Sequence, residues 1–394
     1  MRGRLALVAA ALRTRPSTPL AAVALLVGCA DGSDVARARL SLTETLAGAD
    51  TAGYARALEP RPFVFPDDHG PHPDFRSEWW YVTGNLTALD GRDFGFQLTI
   101  FRSALSPLAP ASESAWATNQ AYMAHFTVTD VAGGGFQAHE RFARGAVGLA
   151  GASADPFRVW LEDWVIEGDS ASTFPARLSA AAGEAALRLR LSPGKPAVLQ
   201  GDDGLSRKGP EPGNASYYYS LTRLPADGTL VLRGDTLSVS GSAWLDREWS
   251  TSALGDALVG WDWFALQLSD GWDLMIYRLR RTDGSAAPES AGVLVDPSGG
   301  TVPLGWGTAI TVESTGTWAS PHDRALYPSG WRLAVPARGW DLAVEPRVPD
   351  QELDLSFRYW EGAVSVRGVG EAGRPVTGRG YVELTGYAGA APER

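Results

Sequence analysis

Cysteine is nearly absent from this sequence, and its scarcity restricts how the fold can be stabilised. Cys29 is the one thiol in 394 residues, so an intramolecular disulfide is excluded even in an oxidising compartment. The chain must therefore be stabilised by a hydrophobic core. Its 44% apolar content supports two domains of ordinary size over this length.

Several catalytic signatures are missing as well. The sequence has no P-loop, no dinucleotide-binding glycine fingerprint and no G-x-S-x-G elbow, which argues against nucleotide-dependent enzymes and α/β-hydrolase-type serine enzymes. Positive charge is also in deficit, because the net charge is −10. A chain this acidic repels phosphate backbones, so we expect no nucleic-acid partner. No motif indicates a cofactor.

The first 28 residues have the features of a bacterial lipoprotein signal peptide. A basic segment precedes an apolar stretch at 19–27 that is too short to span a bilayer, which needs ~20 apolar residues. The following Leu26-Val27-Gly28-Cys29 resembles a lipobox, which is cleaved before a lipidated cysteine. The alternative is an uncleaved anchor, or an ordinary secretory signal beside a chance cysteine.

We expect residues 1–28 to be removed, Cys29 to carry the lipid and residues 29–60 to form a tether. This predicts a lipid-anchored, periplasm-facing protein of the bacterial cell envelope, with the outer membrane favoured over the inner membrane.

From residue 63 onward the pattern is typical of short β-strands. Apolar or β-branched residues alternate in segments such as 187–191, 308–312 and 362–368, and Asp-Gly turns separate many of the segments. Helical periodicity is short after residue 60. With 45 glycines and 26 prolines, the composition favours an all-β chain.

Two segments of the chain resemble each other. Residues 79–102 form an aromatic strand, a turn at Asp90-Gly91 and an apolar strand that ends in an aromatic residue followed by arginine. Residues 261–278 repeat this order around Asp270-Gly271. We therefore predict that one half of the molecule repeats the fold of the other.

This repeat predicts two tandem antiparallel β-barrels or sandwiches. We expect the N-terminal unit to span residues 61–236 and the C-terminal unit to span residues 237–394. A Gly/Asp/Pro-rich loop at 201–214 is predicted to lie near the junction, where it is a candidate lid.

Three acids beside arginine and tryptophan are candidates for chemistry. Glu78 precedes Trp79, while Asp246 and Glu248 flank an arginine just before Trp249. An acid inside an aromatic shell has a raised pKa and can protonate a ligand. The alternative is a buried arginine–carboxylate pair that fixes a strand end, because structural ion pairs also perturb pKa values.

Asp262 is a fourth candidate acid, between Trp261 and Trp263. In a strand its side chain points opposite to both indoles. If the tryptophans pack outside the barrel, Asp262 points inside, where an acid for an apolar ligand would lie. If they face inward, Asp262 is a solvated surface acid.

Aromatic residues are abundant, with 15 tryptophans. Trp80, Tyr218, Trp244, Trp261 and Trp263 could wall a pocket for a long apolar ligand, or stabilise a cation through their ring faces. The alternative is that they form the core and girdle of the barrels. The number of tryptophans favours a pocket.

His69 and His72 could contribute to a metal site. However, the glycine and prolines around them make a rigid, extended turn, and no third histidine or cysteine lies nearby in the sequence to complete a zinc site. We expect hydrogen-bonded turn residues and no metal.

Four motifs resemble those of the lipocalin-like AttH and carotenoid 1,2-hydratase family. They are E-W-W-Y at 78–81, Y-Y-S at 218–220, W-L-D-R-E-W at 244–249 and Y-W-E-G-A at 359–363. The resemblance extends over nearly the whole chain from about residue 60 and implies two tandem lipocalin-like β-barrels. Family members include enzymes that add water to a terminal isoprenoid double bond, and exported or lipidated proteins associated with ABC-type export systems.

Two functions follow from this resemblance. The first is a lipid-anchored protein that binds a hydrophobic, lipid- or isoprenoid-like ligand, as an accessory to an ABC-type permease. The second is a carotenoid 1,2-hydratase-like hydro-lyase, in which Asp246 or Asp262 protonates the alkene while Trp244, Trp261 and Trp263 stabilise the cation until water captures it. Export favours the first function, and the candidate acids keep the second open. A structural envelope domain without a ligand is the third alternative.

Overall fold

The computed structural model describes residues 51–388, apart from residues 170, 171, 253 and 256. The predicted signal peptide, Cys29 and most of the predicted tether lie outside these residues. Within them the chain forms β-strands and three single-turn 3₁₀ segments, and no α-helix. The 3₁₀ segments are Asp67–His69, Pro336–Arg338 and Glu371–Gly373. No described helix is long and apolar enough to cross a membrane. The all-β prediction is confirmed.

The first sheet contains thirteen strands and curls into a nearly closed barrel. The strands are β1 (Ser77–Ala88), β2 (Asp93–Ala104), β3 (Gln120–Asp130), β4 (Gly135–Arg144), β5 (Ala150–Ala154), β6 (Phe157–Leu161), β7 (Trp164–Asp169), β8 (Ser172–Ala182), β9 (Ala185–Leu191), β10 (Val198–Leu199), β11 (Leu205–Arg207), β12 (Ala215–Leu232) and β13 (Asp235–Ser250). Their order is β4-β3-β2-β1-β13-β12-β9-β8-β7-β6-β5, with β10 and β11 paired to β12. The first strand therefore pairs with the last one.

The second sheet contains ten strands and curls into a half-barrel. In chain order the remaining strands are β14 (Leu258–Leu268), β15 (Asp273–Arg281), β16 (Ala291–Val295), β17 (Thr301–Gly305), β18 (Thr311–Ser314), β19 (Thr317–Ala319), β20 (Leu326–Pro328), β21 (Trp331–Val335), β22 (Trp340–Pro346), β23 (Glu352–Asp354), β24 (Arg358–Val369) and β25 (Pro375–Leu384). The sheet order is β17-β16-β15-β14-β25-β24-β22-β21-β18, with β23 on β24, while β19 and β20 form a separate pair. Again the first strand of the sheet pairs with the last, in agreement with two lipocalin-like barrels.

The internal repeat appears as two hairpins with the same turn. In β1–β2 the amide of Gly91 donates to the carbonyl of Ala88 at 2.9 Å, and in β14–β15 the amide of Gly271 donates to Leu268 at 3.1 Å. Both glycines have a positive φ, +86° and +92°, which residues with a Cβ rarely adopt. The Asp-Gly sequence therefore fixes both turns in the same conformation.

Alternation along the strands separates two faces of each sheet. In β1, Trp80 and Val82 point into the first core, whereas Tyr81 belongs to an apolar layer between the sheets. In β14, Phe264 packs in the second core, and Trp263 belongs to the layer between the sheets. Because side chains alternate with a period of two, each sheet has one face on its own core and one face on its neighbour.

The change of sheet lies later than the predicted division between residues 236 and 237. That division falls inside β13, which pairs with β1 and β12 of the first sheet. The second sheet starts with β14, at Leu258. Alternation identifies a strand but not its partner, so the sequence pattern gave no means of assigning β13 to the first sheet.

Two flanking segments pack on the first sheet. The end of the predicted tether contacts it through the phenol of Tyr54, which donates to the carbonyl of Ala104 at 2.8 Å, and through Arg56, which donates to Pro212 at 2.7 Å. The loop at 201–214 contains β11, which pairs with β12. This loop is therefore hydrogen-bonded along the sheet for part of its length.

Candidate functional site

Side chains of both sheets enclose a space that we call the interbarrel cavity. Its volume is about 70 Å³. An engineered cavity that binds benzene has a volume of about 150 Å³, so this space is too small for a whole lipid. The lining residues are Trp79, Tyr81, Phe101, Lys208, Tyr218, Asp246, Glu248, Leu254, Trp261, Trp263, Tyr277, Leu279 and Glu383.

The cavity is built from alternate positions of its strands. Residues two apart contribute in pairs from four strands: Trp79 and Tyr81 from β1, Asp246 and Glu248 from β13, Trp261 and Trp263 from β14, and Tyr277 and Leu279 from β15. The outward face of each hairpin thus becomes a wall of the cavity. Five of the residues predicted for a site meet here: Tyr218, Asp246, Glu248, Trp261 and Trp263.

Asp246 is buried and has no cation as a hydrogen-bond partner among the described residues. Its carboxylate accepts hydrogen bonds from the hydroxyl of Ser220 at 2.5 Å, the phenol of Tyr218 at 2.6 Å and the indole of Trp244 at 2.7 Å. Burial raises the pKa of Asp246 to about 7, against the effect of these donors, and nearby Glu248 adds to the rise. The carboxyl group thus keeps its proton to a higher pH than an exposed aspartate does.

Glu248 has a different environment only two residues away. Its Oε1 lies 3.0 Å from the ammonium of Lys208 and accepts a hydrogen bond from Ser216. Glu248 thus has a positively charged partner, which Asp246 lacks. Glu248 is therefore the ion-pair partner of Lys208, while Asp246 is the candidate proton donor.

Glu383, on β25, is a cavity acid that the sequence analysis missed. The indole of Trp261 donates to its Oε2 at 2.9 Å. Burial raises the pKa of Glu383 to about 7, and the charges of Asp246 and Glu248 act in the same direction. The only sequence signal is its place in an alternating strand, where Tyr381 and Glu383 share a face. The cavity thus contains two acids with raised pKa values, one from each sheet.

The aromatic walls are tied to the acids by hydrogen bonds. The indole of Trp263 donates to the phenol of Tyr218 at 3.1 Å, and the Trp263 ring meets Tyr81 edge to face with centroids 5.1 Å apart. Trp244 lies behind the wall: it is 2% exposed and donates to Asp246. Trp244, which was predicted to line the pocket, therefore supports Asp246 from behind the cavity wall.

Glu78 lies on the opposite face of β1 and does not line the interbarrel cavity. It forms buried ion pairs with Arg102 and Arg247. Although burial alone would raise it, the two guanidinium groups hold the pKa of Glu78 well below its usual range. Glu78 is therefore an ionised partner of two arginines, which is the structural alternative considered for it.

Trp80 also points away from the cavity. Its indole donates to the backbone carbonyl of His69 at 2.9 Å, and the guanidinium of Arg247 lies 4.0 Å from its ring centroid. The prediction that Trp80 lines a pocket with Trp261 and Trp263 is not supported, because alternation places Trp79 and Tyr81 on the cavity face and Trp80 in the first core.

Asp262 points into the second sheet, since Trp261 and Trp263 pack outside it. Its Oδ1 lies 3.0 Å from Nε of Arg280 and accepts a hydrogen bond from the phenol of Tyr387 at 2.8 Å. Burial raises the pKa of Asp262, and Arg280 opposes the rise. It lines a separate cavity of about 260 Å³, so Asp246 and Asp262 do not act on one ligand atom.

His69 and His72 are hydrogen-bonded at the end of the first barrel. Nδ1 of His69 lies 2.5 Å from the phenol oxygen of Tyr219, and His72 stacks on Trp249 with ring centroids 3.7 Å apart. Among the described residues, no three histidine, cysteine, aspartate or glutamate side chains are grouped so that they could hold a metal ion.

Comparisons with known proteins agree with this architecture. A crystal structure from Nitrosomonas europaea, described as that of a candidate AttH, has 37% sequence identity and a TM-score of 0.74, and the match covers 85% of this chain and 100% of the other. Kievitone hydratase from Nectria haematococca has 16% identity and a TM-score of 0.64, with coverages of 85% and 98%. CghA with Sch210972 has 16% identity and a TM-score of 0.52, with coverages of 85% and 97%.

The two matches at 16% identity show a shared fold. No curated protein matches the chain significantly. The family model described as AttH-like matches residues 56–387. This match extends over both sheets and the cavity between them, and the protein therefore belongs to the AttH-like family.

Proposed function

We propose that the interbarrel cavity binds one end of a hydrophobic, lipid- or isoprenoid-like ligand. The observation that carries the proposal is the lining, in which seven aromatic side chains surround the space: Trp79, Tyr81, Phe101, Tyr218, Trp261, Trp263 and Tyr277. Ligand sites in proteins are typically apolar and aromatic, with a few fixed polar groups. The remaining apolar part of such a ligand would lie outside this space.

Mass spectrometry of the native protein tests binding. Protein purified from the envelope is expected to carry a hydrophobic molecule that dissociates on denaturation. Titration with an acyclic isoprenoid should quench tryptophan fluorescence, and Trp263→Leu should weaken binding about tenfold, because a buried indole supplies ~1–3 kcal/mol of contact. Trp318→Leu, in β19 outside the cavity, is the matched control. Absence of both a co-purified molecule and quenching would contradict the proposal.

A second candidate function is acid-catalysed hydration of an isoprenoid double bond. It is favoured by Asp246, whose raised pKa leaves a carboxyl proton available beside ring faces. The O–H proton of Asp246 would pass to one alkene carbon, leaving a tertiary cation at the other. The faces of Trp261 and Trp263 would stabilise this cation. A water oxygen would then bond to the cation and lose one proton to the carboxylate of Asp246. The acid is thereby regenerated, and the net change is addition of one water.

Isotope labelling separates hydration from binding. In H₂¹⁸O, an acyclic isoprenoid with a terminal double bond should gain one labelled hydroxyl group. Asp246→Asn should lower this rate by at least about 100-fold, because it removes the acid. Asp262→Asn is the matched control, since the same change lies outside the cavity. Binding without any labelled product would leave only the first function.

Membrane attachment forms a separate part of the proposal. Lipidation at Cys29 would hold the protein at the bacterial envelope, where it could present its ligand to an ABC-type permease. The lipobox-like sequence before Cys29 supports this part. Incorporation of radiolabelled palmitate should be lost in Cys29→Ser, and the variant should move to the soluble envelope fraction. Unchanged labelling in Cys29→Ser would contradict lipidation at this residue.

A further inference from the structure

Lys208 is the one basic side chain among the described residues that line the interbarrel cavity. The sequence contains only two lysines, Lys195 and Lys208, while all other basic side chains apart from the histidines are arginines. Lys195 lies elsewhere and pairs with Asp273 at 2.8 Å. Neither proposed function makes use of Lys208.

The loop at 201–214 holds Lys208 in the cavity wall. Strand β11 of this loop pairs Ser206 with Ser216, and the amide of Lys208 donates to the carbonyl of Asn214 at 2.8 Å. These backbone hydrogen bonds are formed by Lys208 and by residues just before it in the chain. The candidate lid is therefore, at this point, an extension of the sheet that positions an ammonium group.

The ammonium group has one donor without an oxygen partner. A lysine has three N–H donors. Nζ of Lys208 lies 3.0 Å from Oε1 of Glu248 and 3.2 Å from the hydroxyl of Ser206, and no third oxygen acceptor is found among the described residues. Nζ also lies 5.0 Å and 5.5 Å from the ring centroids of Tyr277 and Tyr218. Lys208 is only 9% exposed, so its side chain has little contact with bulk solvent.

We propose that Lys208 determines specificity by donating its third N–H to a carbonyl oxygen in the end of the ligand that enters the interbarrel cavity. This inference rests on the proposed binding function and adds a chemical class: an apolar chain with a neutral oxygen acceptor at the inserted end, not a pure hydrocarbon. A lysine presents a compact charge suited to one acceptor atom.

The charges of the cavity favour a neutral acceptor over a carboxylate. The positive charge of Lys208 is already balanced by Glu248, and two further acids, Asp246 and Glu383, line the same space. A ligand carboxylate would add an unpaired negative charge to a buried site that already contains these acids, which is strongly unfavourable. A carbonyl oxygen accepts the hydrogen bond without adding charge.

Three probes of equal length test the inference with the full chain. They are geranylacetone, the hydrocarbon in which its carbonyl is replaced by CH₂, and the corresponding carboxylic acid, each titrated against tryptophan fluorescence. A hydrogen bond to a buried charged donor is worth at least about tenfold in affinity. The wild type should therefore bind the ketone about tenfold more tightly than the hydrocarbon, and more tightly than the acid.

The variants are chosen so that no buried charge is left unpaired. Lys208→Met combined with Glu248→Gln removes the ammonium together with its counter-ion, and should bind ketone and hydrocarbon equally. Arg207→Met removes one positive charge from the neighbouring exposed position and should keep the tenfold preference. Near-ultraviolet circular dichroism checks that each variant retains its packing.

Each outcome has a distinct meaning. If the wild type binds both the ketone and the hydrocarbon but without preference, or if the double variant keeps the preference, the role of Lys208 is overturned while the binding function stands. Tighter binding of the acid overturns the neutral class of acceptor. If the wild type binds none of the probes, the binding function itself fails.

Discussion

The two Asp-Gly hairpins share a turn but differ in the side chains on their inner faces. When Gly91 is aligned with Gly271, Val82 of the first hairpin corresponds to Asp262 of the second, and Leu98 corresponds to Arg278. Val82 and Leu98 are fully buried in the first core. Asp262 and Arg278 instead lie 3.6 Å apart in an ion pair. The same backbone therefore accommodates an apolar interior in one barrel and a charged end in the other.

The outer faces of the two hairpins are more alike. In the same alignment Tyr81 corresponds to Trp261, and both line the interbarrel cavity. Each barrel thus keeps aromatic residues where it faces its neighbour, while its interior is free to differ. The surface between the barrels is thus the part of the repeat at which both hairpins contribute an aromatic side chain to the same cavity.

The buried acids extend the comparison. Glu78 has two guanidinium partners and a lowered pKa, whereas Asp246 and Glu383 bond to hydroxyl and indole groups and have pKa values raised to about 7. Burial favours the neutral acid in all three. Two guanidinium partners therefore distinguish the ionised Glu78 from the two cavity acids. One nearby arginine is not sufficient, because the pKa of buried Asp262 is raised although Arg280 opposes the rise.

The largest effect is expected from Val82→Asp, which places the acid of the second barrel at the equivalent position of the first. Val82 belongs to the same hydrophobic core as Leu98 and Ile100, so the new carboxyl group would lie mainly among apolar side chains. We expect a loss of about 4 kcal/mol or more in the free energy of unfolding, measured by urea denaturation. If the loss is below about 1 kcal/mol, the first barrel tolerates a charged interior, and the proposed difference between the interiors of the two barrels is wrong.

Glu78→Gln should have the next largest effect. The change leaves Arg102 and Arg247 buried without their carboxylate, which typically costs about 3–5 kcal/mol. Asp246→Asn, by contrast, leaves no cation unpaired and should cost about 1 kcal/mol. Chemical denaturation of both variants compares the two environments directly. A larger loss for Asp246→Asn than for Glu78→Gln would reverse the assignment of structural and reactive acids.

The pH dependence of stability should carry opposite signs for these acids. Asp246 has an ordinary pKa of 3.8 and a folded value of about 7, so the folded state holds the proton more tightly. Its contribution to stability is therefore present at low pH and is lost as pH rises from about 4 to about 7, at about 1 kcal/mol per pH unit. Glu383 acts in the same direction. The contribution of Glu78 is present above its ordinary pKa and is lost as pH falls.

Unfolding free energies at pH 5 and pH 8 measure the first of these effects. In the double variant Asp246→Asn with Glu383→Gln, the free energy of unfolding should decrease less between pH 5 and pH 8 than it does in the wild type. Glu78→Gln should leave the slope in this range unchanged and alter stability at acid pH. A wild-type protein that gains stability between pH 5 and pH 8 would count against raised pKa values in the cavity.

The smallest effects should come from the turns. Gly91→Ala and Gly271→Ala each force a residue with a Cβ into a positive φ, which costs about 1 kcal/mol. The added Cβ at residue 271 would lie 3.2 Å from Cβ of Pro297, whereas nothing lies within 4 Å at residue 91. Thermal denaturation should therefore rank Gly271→Ala as slightly the less stable of the pair. A loss at one turn only would show that the two hairpins are not equivalent.

The sequence predicted many of the strands and the repeat because both depend on local patterns, although the predicted segment 308–312 enters a strand only at Thr311. Alternation and Asp-Gly turns located the hairpins. The orientation of Asp262 relative to Trp261 and Trp263 also followed from alternation, since the tryptophans pack outside the second sheet. The resemblance to a lipocalin-like family agrees with the two curled sheets.

The sequence could not show which face of a strand lines the cavity or which strands pair with each other. Trp79 and Trp80 are neighbours of the same type, and only the packing of the sheets decides which of them lines the cavity. Glu383 is far from Asp246 in sequence, and the pairing of β25 with β14 brings it to the site. The repeat was also misleading in one detail. Arg102 and Arg278 look equivalent in sequence, but Arg102 pairs with Glu78 and Arg278 pairs with Asp262. These two acids do not lie at equivalent positions of the two hairpins.

The pairing of first and last strands has a consequence for synthesis of the protein. During translation, β14 cannot gain its partner β25 until residues 375–384 have been made, so the second sheet is the last to close. Glu383 arrives with that strand. Nascent chains that contain β14 but end before residue 375 thus have an open edge in the second sheet and an interbarrel cavity that lacks one of its acids.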